Sequence, residues 1–244
     1  MRADEVTVVI PTYNERENLE ELVGAVLKHG YRILIVDDGS PDGTGTLANQ
    51  LAAAHGAVEV LHRPVKAGLG SAYAAGFEQA AANQAQVICE MDADFSHDPA
   101  DLPRLVDAVV SGAADLAIGS RYVPGGSTPD WPLLRRILSQ GGNLYARLML
   151  GLHVHDATAG FRAYRAGSLA DLDANTCQAS GYGFQVELAW RATNRGLRIV
   201  EVPIVFRDRV YGESKMKGAI VAEAMWLVTK WGMGRLVGRS GDRR

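Results

Sequence analysis

Two hydrophobic periods take turns along the first half of the chain. Val6 to Ile10 is a β-branched apolar run ended by Pro11, which predicts a buried strand. From Glu17 to Leu27 the apolar spacing lengthens, with Leu19, Leu22, Val23, Val26 and Leu27 on one face, which predicts a helix. Arg32 to Val36 predicts a second buried strand. It runs out into Asp37-Asp38-Gly39-Ser40-Pro41-Asp42-Gly43, a stretch dense in turn formers and caps. The same alternation then gives a helix over 46–55, a strand over 58–61 and a small-residue helix over 69–82 opened by Gly68 and Gly70. A strand from Val87 through Met91, a helix over 102–110 and a strand over 115–119 follow. Strands alternating with helices of this length predict a mostly parallel α/β sheet flanked by helices.

Beyond residue 122 the pattern changes. Residues 123–130 form a Gly/Pro loop, 133–150 a long helix with Arg135, Arg136 and Arg147 among leucines, and 197–206 a further strand. The segment 219–237 sets Ile220, Val221, Met225, Trp226, Leu227, Val228, Trp231 and Leu236 among Glu223, Lys230 and Arg235, an amphipathic C-terminal helix. There are no repeats and no low-complexity stretches, so one domain with an added C-terminal helix is expected.

Composition narrows the class without deciding it. At 47% hydrophobic and 22% charged the 244 residues read as an ordinary globular chain. Two cysteines, Cys89 and Cys177, give no disulfide framework or zinc site, which points to a reducing cytoplasm. No signal peptide is expected before Val6, and no apolar run approaches the ~18 residues needed to span a bilayer. Charge changes the picture more. Residues 1–120 carry 7 Lys/Arg against 18 Asp/Glu, a net −11, and residues 121–244 carry 18 against 10, a net +8. The acidic half suits a cation site, and the basic half suits polyanionic substrates or anionic lipid. Nucleic acid is not expected as a partner, because aromatic-rich strand platforms and recognised nucleic-acid motifs are missing.

Three strand ends carry distinctive residues: Pro11, Tyr13, Asn14 and Glu15 after the first, Asp37 and Asp38 after the second, Asp92 and Asp94 after the fourth. The fourth strand runs straight into Asp92-Ala93-Asp94, and alternation along it aims Asp92 and Asp94 the same way, with Cα atoms roughly 6 to 7 Å apart. Two such anions repel unless a cation joins them, which makes the pair a candidate site for Mg²⁺ or Mn²⁺. The plainer reading is a polar strand end followed by a helix cap at Ser96-His97-Asp98-Pro99. Neither G-x-G-x-x-G after the first strand nor G-x-x-x-x-G-K-[ST] occurs, so a nucleotide here is expected to be held by carboxylates and a metal. Arg135, Arg136 and Arg147 taken alone read as a solvated helix face. His153 and His155 beside Asp156 read as local hydrogen bonding rather than a metal pair. Trp226 and Trp231 suit helix packing and a membrane interface equally.

Five motifs in order carry a resemblance. Ile10-Pro11-Thr12-Tyr13-Asn14-Glu15, Val36-Asp37-Asp38-Gly39-Ser40-Pro41-Asp42-Gly43-Thr44, Met91-Asp92-Ala93-Asp94, Gly119-Ser120-Arg121-Tyr122 and Tyr211-Gly212-Glu213-Ser214-Lys215 together resemble the dolichyl- or polyprenyl-phosphate mannose synthases, inverting glycosyltransferases of the GT-A fold. The resemblance spans about residues 6 to 218. It implies metal-dependent transfer of mannose from GDP-mannose to a polyprenyl monophosphate at the cytoplasmic face of a membrane. It divides the chain into a nucleotide-sugar half (1–122), an acceptor half (123–216) and an amphipathic helix with a basic tail (217–244). The donor pocket it implies comprises Pro11, Tyr13, Glu15, Val36 and Asp38 at the guanosine end and Asp92, Ala93 and Asp94 near ribose, diphosphate and metal. Asp94 would bind Mg²⁺ or Mn²⁺ directly. Where relatives carry a metal-reaching Gln two residues on, this chain has Ser96, a shorter donor. Arg121, Arg209 and Lys215 match basic residues around the diphosphate and the incoming phosphate, and Arg135 and Ser139 match positions that hold the acceptor phosphate. Asp94 and Arg209 are the catalytic expectations. Membrane contact would be peripheral, by an interfacial helix or a membrane partner protein. Two alternatives stand beside this reading: a polyprenyl-phosphate glucosyltransferase using UDP-glucose, and a non-catalytic nucleotide-binding regulatory module.

Overall fold

β1 (Val6–Thr12) is buried along almost its whole length, because helices cover both faces of the sheet it lies in. The computed structural model describes residues 1–179, 181–208 and 218–236. β1 pairs in parallel with β2 (Arg32–Asp37) on one side and β4 (Val87–Glu90) on the other. β3 (Val58–His62) extends the sheet beyond β2, also in parallel. On the far side of β4 come β6 (Arg162–Arg165), β5 (Leu116–Ser120) and β7 (Ile199–Pro203), giving the order β3-β2-β1-β4-β6-β5-β7. β6 is antiparallel to both neighbours, and β7 is parallel to β5.

The helices are α1 (Arg16–Leu27), α2 (Thr44–Ala54), α3 (Leu69–Ala82), α4 (Leu102–Val110), α5 (Leu133–Leu150), α6 (Ala166–Leu172), α7 (Tyr182–Asn194) and α8 (Gly218–Leu236). Alternate strand residues feed two cores. Val8, Ile10, Ile33 and Ile35 pack with Leu19, Leu22, Leu105 and Val106 of α1 and α4, whereas Val9, Leu34 and Val36 pack with α3, α5, α7 and α8. The strands therefore read as continuous apolar runs instead of alternating ones. Gly76 lets α3 lie tight on β1, since a Cβ there would stand 2.4 Å from Val9 Cγ1.

The helices expected over 69–82, 102–110 and 133–150 stand at those bounds. Elsewhere the structure departs from expectation. The strand before the carboxylate pair stops at Glu90, so Asp92 and Asp94 lie in the turn that follows and the alternation argument does not apply to them. The final strand contracts from 197–206 to Ile199–Pro203, with only a bridge from Ser127 to Val205 beyond it. β6, α6 and α7 were not foreseen. β6 is four residues long with arginine at both ends. On α7, Phe184, Gln185, Val186, Glu187, Leu188, Ala189 and Ala192 are all buried, so the helix shows no clean apolar stripe.

Candidate active site

The sheet reverses its growth direction at β1, with β2 to one side and β4 to the other, and a ligand crevice opens outside the strand carboxyl ends at such a switch point. Pro11, Tyr13 and Glu15, Val36 and Asp38, and Asp92, Ala93 and Asp94 all leave the sheet along this edge. Short side chains lace the first two loops together. Asp37 accepts from Thr12 Oγ1 (3.3 Å) and from Ser40 Oγ (2.6 Å). The Asn14 N–H donates to Ser40 Oγ (3.1 Å), with Asn14 at a φ of 59°, and the Glu15 N–H donates to Thr44 Oγ1 (3.0 Å). Asp42, one residue before the left-handed N-cap Gly43 of α2, accepts from the Thr44 N–H and hydroxyl.

Two cations missed in the sequence stand over this pocket, both from the loop between β3 and α3. The Lys66 ammonium lies 3.7 Å from the Tyr13 ring centroid. Arg63 Nη1 lies 3.0 Å from Asp38 Oδ1, an ion pair out of line for a hydrogen bond. Burial pushes the Asp38 carboxyl up, and Arg63 offsets part of that rise. The pocket thus offers an aromatic face, buried carboxylates and cations, which suits a nucleobase, ribose and diphosphate.

The turn after β4 holds the carboxylate pair. Asp92 Oδ1 accepts from Tyr73 Oη of α3 at 3.0 Å. Burial, with the Asp92 charge beside it, raises the Tyr73 phenol well above its usual value, so it stays a donor. Asp94 is 8% exposed and accepts the Ser96 N–H at 3.1 Å. Phe95, at a φ of 59°, folds the turn back to allow that contact. No cluster of three His, Cys, Asp or Glu side chains able to hold a metal occurs among the described residues. The hard oxygens of Asp92 and Asp94 fit a divalent cation that completes its shell from diphosphate and water. His97 is buried behind them, stacked on Phe161 at 4.9 Å, and burial lowers its imidazole to about 4.

Under the pair lies a buried polar chain that sequence reasoning did not find. Glu90 accepts from Tyr164 Oη of β6 (2.8 Å) and from Gln185 Nε2 of α7 (2.5 Å), and burial raises its carboxyl to about 7.

A cationic and aromatic cluster gathers around Arg121 at the carboxyl end of β5. Arg121 donates to Asp156 through its backbone N–H (3.0 Å), Nε (2.7 Å) and Nη2 (2.6 Å), and to Thr158 Oγ1 (2.8 Å). Burial opposes ionisation of Asp156, but the Arg121 charge and hydrogen bonds hold its carboxyl below the ordinary value. The Arg121 guanidinium also stands 5.2 to 5.4 Å from the rings of Tyr122, Trp131 and Phe206. Arg135 of α5 lies 4.0 Å over Trp131 and pairs with Asp208 at 2.8 Å. One turn on, Ser139 Oγ accepts from Tyr122 Oη (2.7 Å). Arg121, Arg135 and Ser139 are therefore brought together, and Arg135 is no idle solvated residue. Arg209 and Lys215 lie outside the described residues, as does the Tyr211–Lys215 motif. His155 bonds to Glu201 at 2.9 Å, the local role expected of it.

Apolar surface lies beside this cluster on α5. Leu133, Leu134, Ile137, Leu138, Leu144 and Leu148 are exposed, Leu148 to 71%. The amphipathic helix expected at the C-terminus behaves differently: Leu227, Val228 and Trp231 of α8 are buried, and Trp231 stacks on Trp190 at 5.2 Å. Trp226 remains exposed, so the two tryptophans divide between packing and surface. No helix among the described residues is long and apolar enough to cross a membrane.

The model of glycosyl transferase family 2 matches residues 7–173. The polyprenol monophosphomannose synthase of Mycolicibacterium smegmatis is 54% identical over 234 residues, covering 94% of this chain and 88% of that protein. The undecaprenyl-phosphate mannosyltransferase of Micrococcus luteus is 51% identical, covering 93% and 94%. The dolichol-phosphate mannosyltransferase of Pyrococcus furiosus is 37% identical, covering 93% of this chain and 64% of that protein. Among solved structures, glucosyl-3-phosphoglycerate synthase from Mycobacterium tuberculosis in complex with UDP superposes with a TM-score of 0.67 at 20% identity, covering 94% and 79% of the two chains. A mannosyltransferase from Pyrobaculum calidifontis in complex with GDP-Man and Mn²⁺ gives 0.57 at 15%, covering 99% and 79%. The sheet with its antiparallel β6 is thus a GT-A fold, and the chain belongs to glycosyl transferase family 2, among its polyprenyl-phosphate mannose synthases.

Proposed function

We propose that this chain, working as one unit, transfers mannose from GDP-mannose to a polyprenyl monophosphate with inversion at C1. The observation that carries the reading is the pairing of two sites: a carboxylate-lined crevice at the β1 switch point and an Arg121–Arg135–Ser139 cluster beside an exposed leucine face. The first suits a nucleotide-sugar, and the second suits a phosphate that arrives on a lipid. A non-catalytic nucleotide-binding module would have no use for the second. The names of the relatives at 51% and 54% identity favour mannose as the sugar and a polyprenyl phosphate as acceptor.

A lipid phosphate oxygen attacks C1, the C1–O bond to the nucleoside diphosphate breaks, and the electron pair leaves with GDP. The attacking phosphate is already anionic at neutral pH, its second pKa being about 6, so no strong general base is needed. Pro11, Tyr13, Glu15, Val36 and Asp38 seat the guanosine, and Asp92 and Ala93 face the nucleotide-sugar. Asp94, assisted by Ser96, would hold Mg²⁺ or Mn²⁺; that cation, when bound, screens the diphosphate charge as it grows on the leaving group. Arg135, Ser139 and Arg121 position the acceptor phosphate, Arg121 and the Arg209 and Lys215 side chains adding positive charge where the transition state needs it. Peripheral contact with the cytoplasmic face of a membrane is made by α5, whose leucines stand beside the phosphate cluster.

Asp94→Ala and Arg209→Ala test the site: each should fold as wild type and transfer almost no sugar, and near-native turnover in both would overturn the assignment. Competition by GDP against UDP separates the two donors. Stronger competition by UDP would favour the glucosyltransferase reading.

A further inference from the structure

Phe206 stands three residues beyond β7 and contacts groups from both clusters of the site. Its ring lies edge-on to His97, with centroids 5.4 Å apart, and edge-on to Trp131 at 5.3 Å, an arrangement that aromatic pairs favour. The Arg121 guanidinium is 5.4 Å from the same ring. Each neighbour belongs to a different part of the site. His97 lies in the segment after β4, three residues beyond Asp94, and the Phe161 ring stacks on it. Trp131 carries the Arg135 guanidinium over its ring at 4.0 Å. Arg121 follows β5 and is fixed by Asp156.

The backbone repeats the connection. The Phe206 N–H donates to the Ser127 carbonyl (2.9 Å), in the loop before α5, and the Arg207 N–H donates to the Ser96 carbonyl (3.3 Å), beside His97. Asp208, next in the chain, pairs with Arg135. Three consecutive residues thus tie the Asp94 turn to the loop and helix that bear Arg135 and Ser139. His97 and Trp131 are 2% and 7% exposed, and groups so closely packed do not shift singly. We infer that Phe206 is a positioning residue, which sets the distance between the Asp94 turn and the Arg121–Arg135 cluster and hence the line along which the acceptor phosphate meets the sugar C1. It acts through His97, Trp131 and Arg121 and takes no part in the bond exchange. Displacement needs the attacking oxygen in line with C1 at about 3 to 3.5 Å, and a shift of about 1 Å lowers the rate on the order of 100-fold. Loss of the ring should leave each substrate its own binding groups and spoil only their alignment. This inference rests on the donor and acceptor reading of the two clusters.

The test measures mannose transfer from GDP-mannose to farnesyl phosphate, with GDP binding followed by titration calorimetry. Phe206→Ala should lower kcat roughly 10- to 100-fold while the acceptor KM and the GDP dissociation constant stay within about threefold of wild type. GDP stoichiometry equal to that of wild type shows that the slow enzyme is folded. Phe206→Tyr keeps the ring and should restore kcat to within about threefold of wild type. An unchanged kcat in Phe206→Ala overturns the inference. So does a rise in KM or in the GDP dissociation constant that accounts for the whole loss, because the ring would then be touching a substrate. A Phe206→Tyr enzyme as slow as Phe206→Ala counts against it too. Should Phe206→Ala fail to fold, Phe206→Leu keeps apolar bulk without a flat ring; it should show the same fall in kcat alone, and full activity would overturn the inference. Wild-type inactivity with GDP-mannose strikes the donor assignment instead, and the same Phe206 series with UDP-glucose then tests the positioning role.

Discussion

Replacing Asp156 by alanine should cost this protein both stability and rate, for one reason. The carboxylate is 0% exposed and receives three N–H groups of Arg121 at 2.6 to 3.0 Å, while the Arg121 side chain is itself only 6% exposed. Truncation takes the carboxylate out of a buried ion pair, which typically costs about 3 to 5 kcal/mol, although the guanidinium keeps Thr158 Oγ1 as an acceptor. At about 2 to 4 °C per kcal/mol for a chain of this size, the melting temperature should fall by roughly 6 to 20 °C. The guanidinium also loses the pair that aims it among Tyr122, Trp131 and Phe206, and misplacement of a phosphate-positioning group by about 1 Å lowers turnover on the order of 100-fold. Circular dichroism melts give the first quantity and lipid-phosphate mannosylation the second. Arg121→Ala and the double variant complete a cycle, in which the coupling should reach about 2 kcal/mol. Additive effects within about 0.5 kcal/mol would refute the claim that the two residues act as one unit.

Three further outcomes follow from the same geometry. Glu90, with its carboxyl raised to about 7 in the folded chain against 4.5 unfolded, keeps its proton longer when native; its stabilising share is full below about pH 4.5 and is lost as pH rises through 7, at most about 3 kcal/mol. Urea unfolding should therefore show Glu90→Gln gaining on wild type between pH 4.5 and 7, and parallel curves would contradict this. Gly76→Ala should lower stability by about 1 to 3 kcal/mol, because its Cβ would meet Val9 Cγ1 at 2.4 Å; an unchanged denaturation midpoint would show that α3 can shift freely. Leu134→Glu/Leu138→Glu should weaken sedimentation with anionic vesicles several-fold, each leucine being worth up to about 1.5 to 3 kcal/mol when buried in lipid, yet leave transfer to a water-soluble acceptor unchanged. Undiminished vesicle binding would remove α5 as the lipid contact.

The parallel half of the fold is readable from the chain because sheets covered on both faces need continuous apolar strands, and their helices need a stripe. That logic finds β1, β2 and β3 and sets α3, α4 and α5 at their bounds. It fails where burial is polar. β6 is Arg-Ala-Tyr-Arg, made buriable only by Glu90 and the Ala157 and Ala159 carbonyls, and α7 buries Gln185 and Glu187 among its apolar residues. The strand pleat expected to aim Asp92 and Asp94 is absent, because β4 ends at Glu90 and a turn with Phe95 at positive φ positions them instead. Asp156 as the partner of Arg121, and Lys66 over Tyr13, depend on contacts across 35 and 53 positions of sequence, which no local pattern carries. The exposed leucines of α5 were visible as a helix with arginines, but their exposure depends on which face the sheet takes.

Incubation of the purified chain with labelled GDP-mannose, undecaprenyl phosphate and Mg²⁺ or Mn²⁺, followed by extraction into organic solvent and anomer assignment, decides whether mannose passes from GDP to a lipid phosphate with inversion. The expected product is a chelator-sensitive, label-bearing lipid whose mannose is β-linked to phosphate, formed far faster than any product from UDP-glucose. Absence of labelled lipid, an α-linked product, or preferential transfer from UDP-glucose would contradict it.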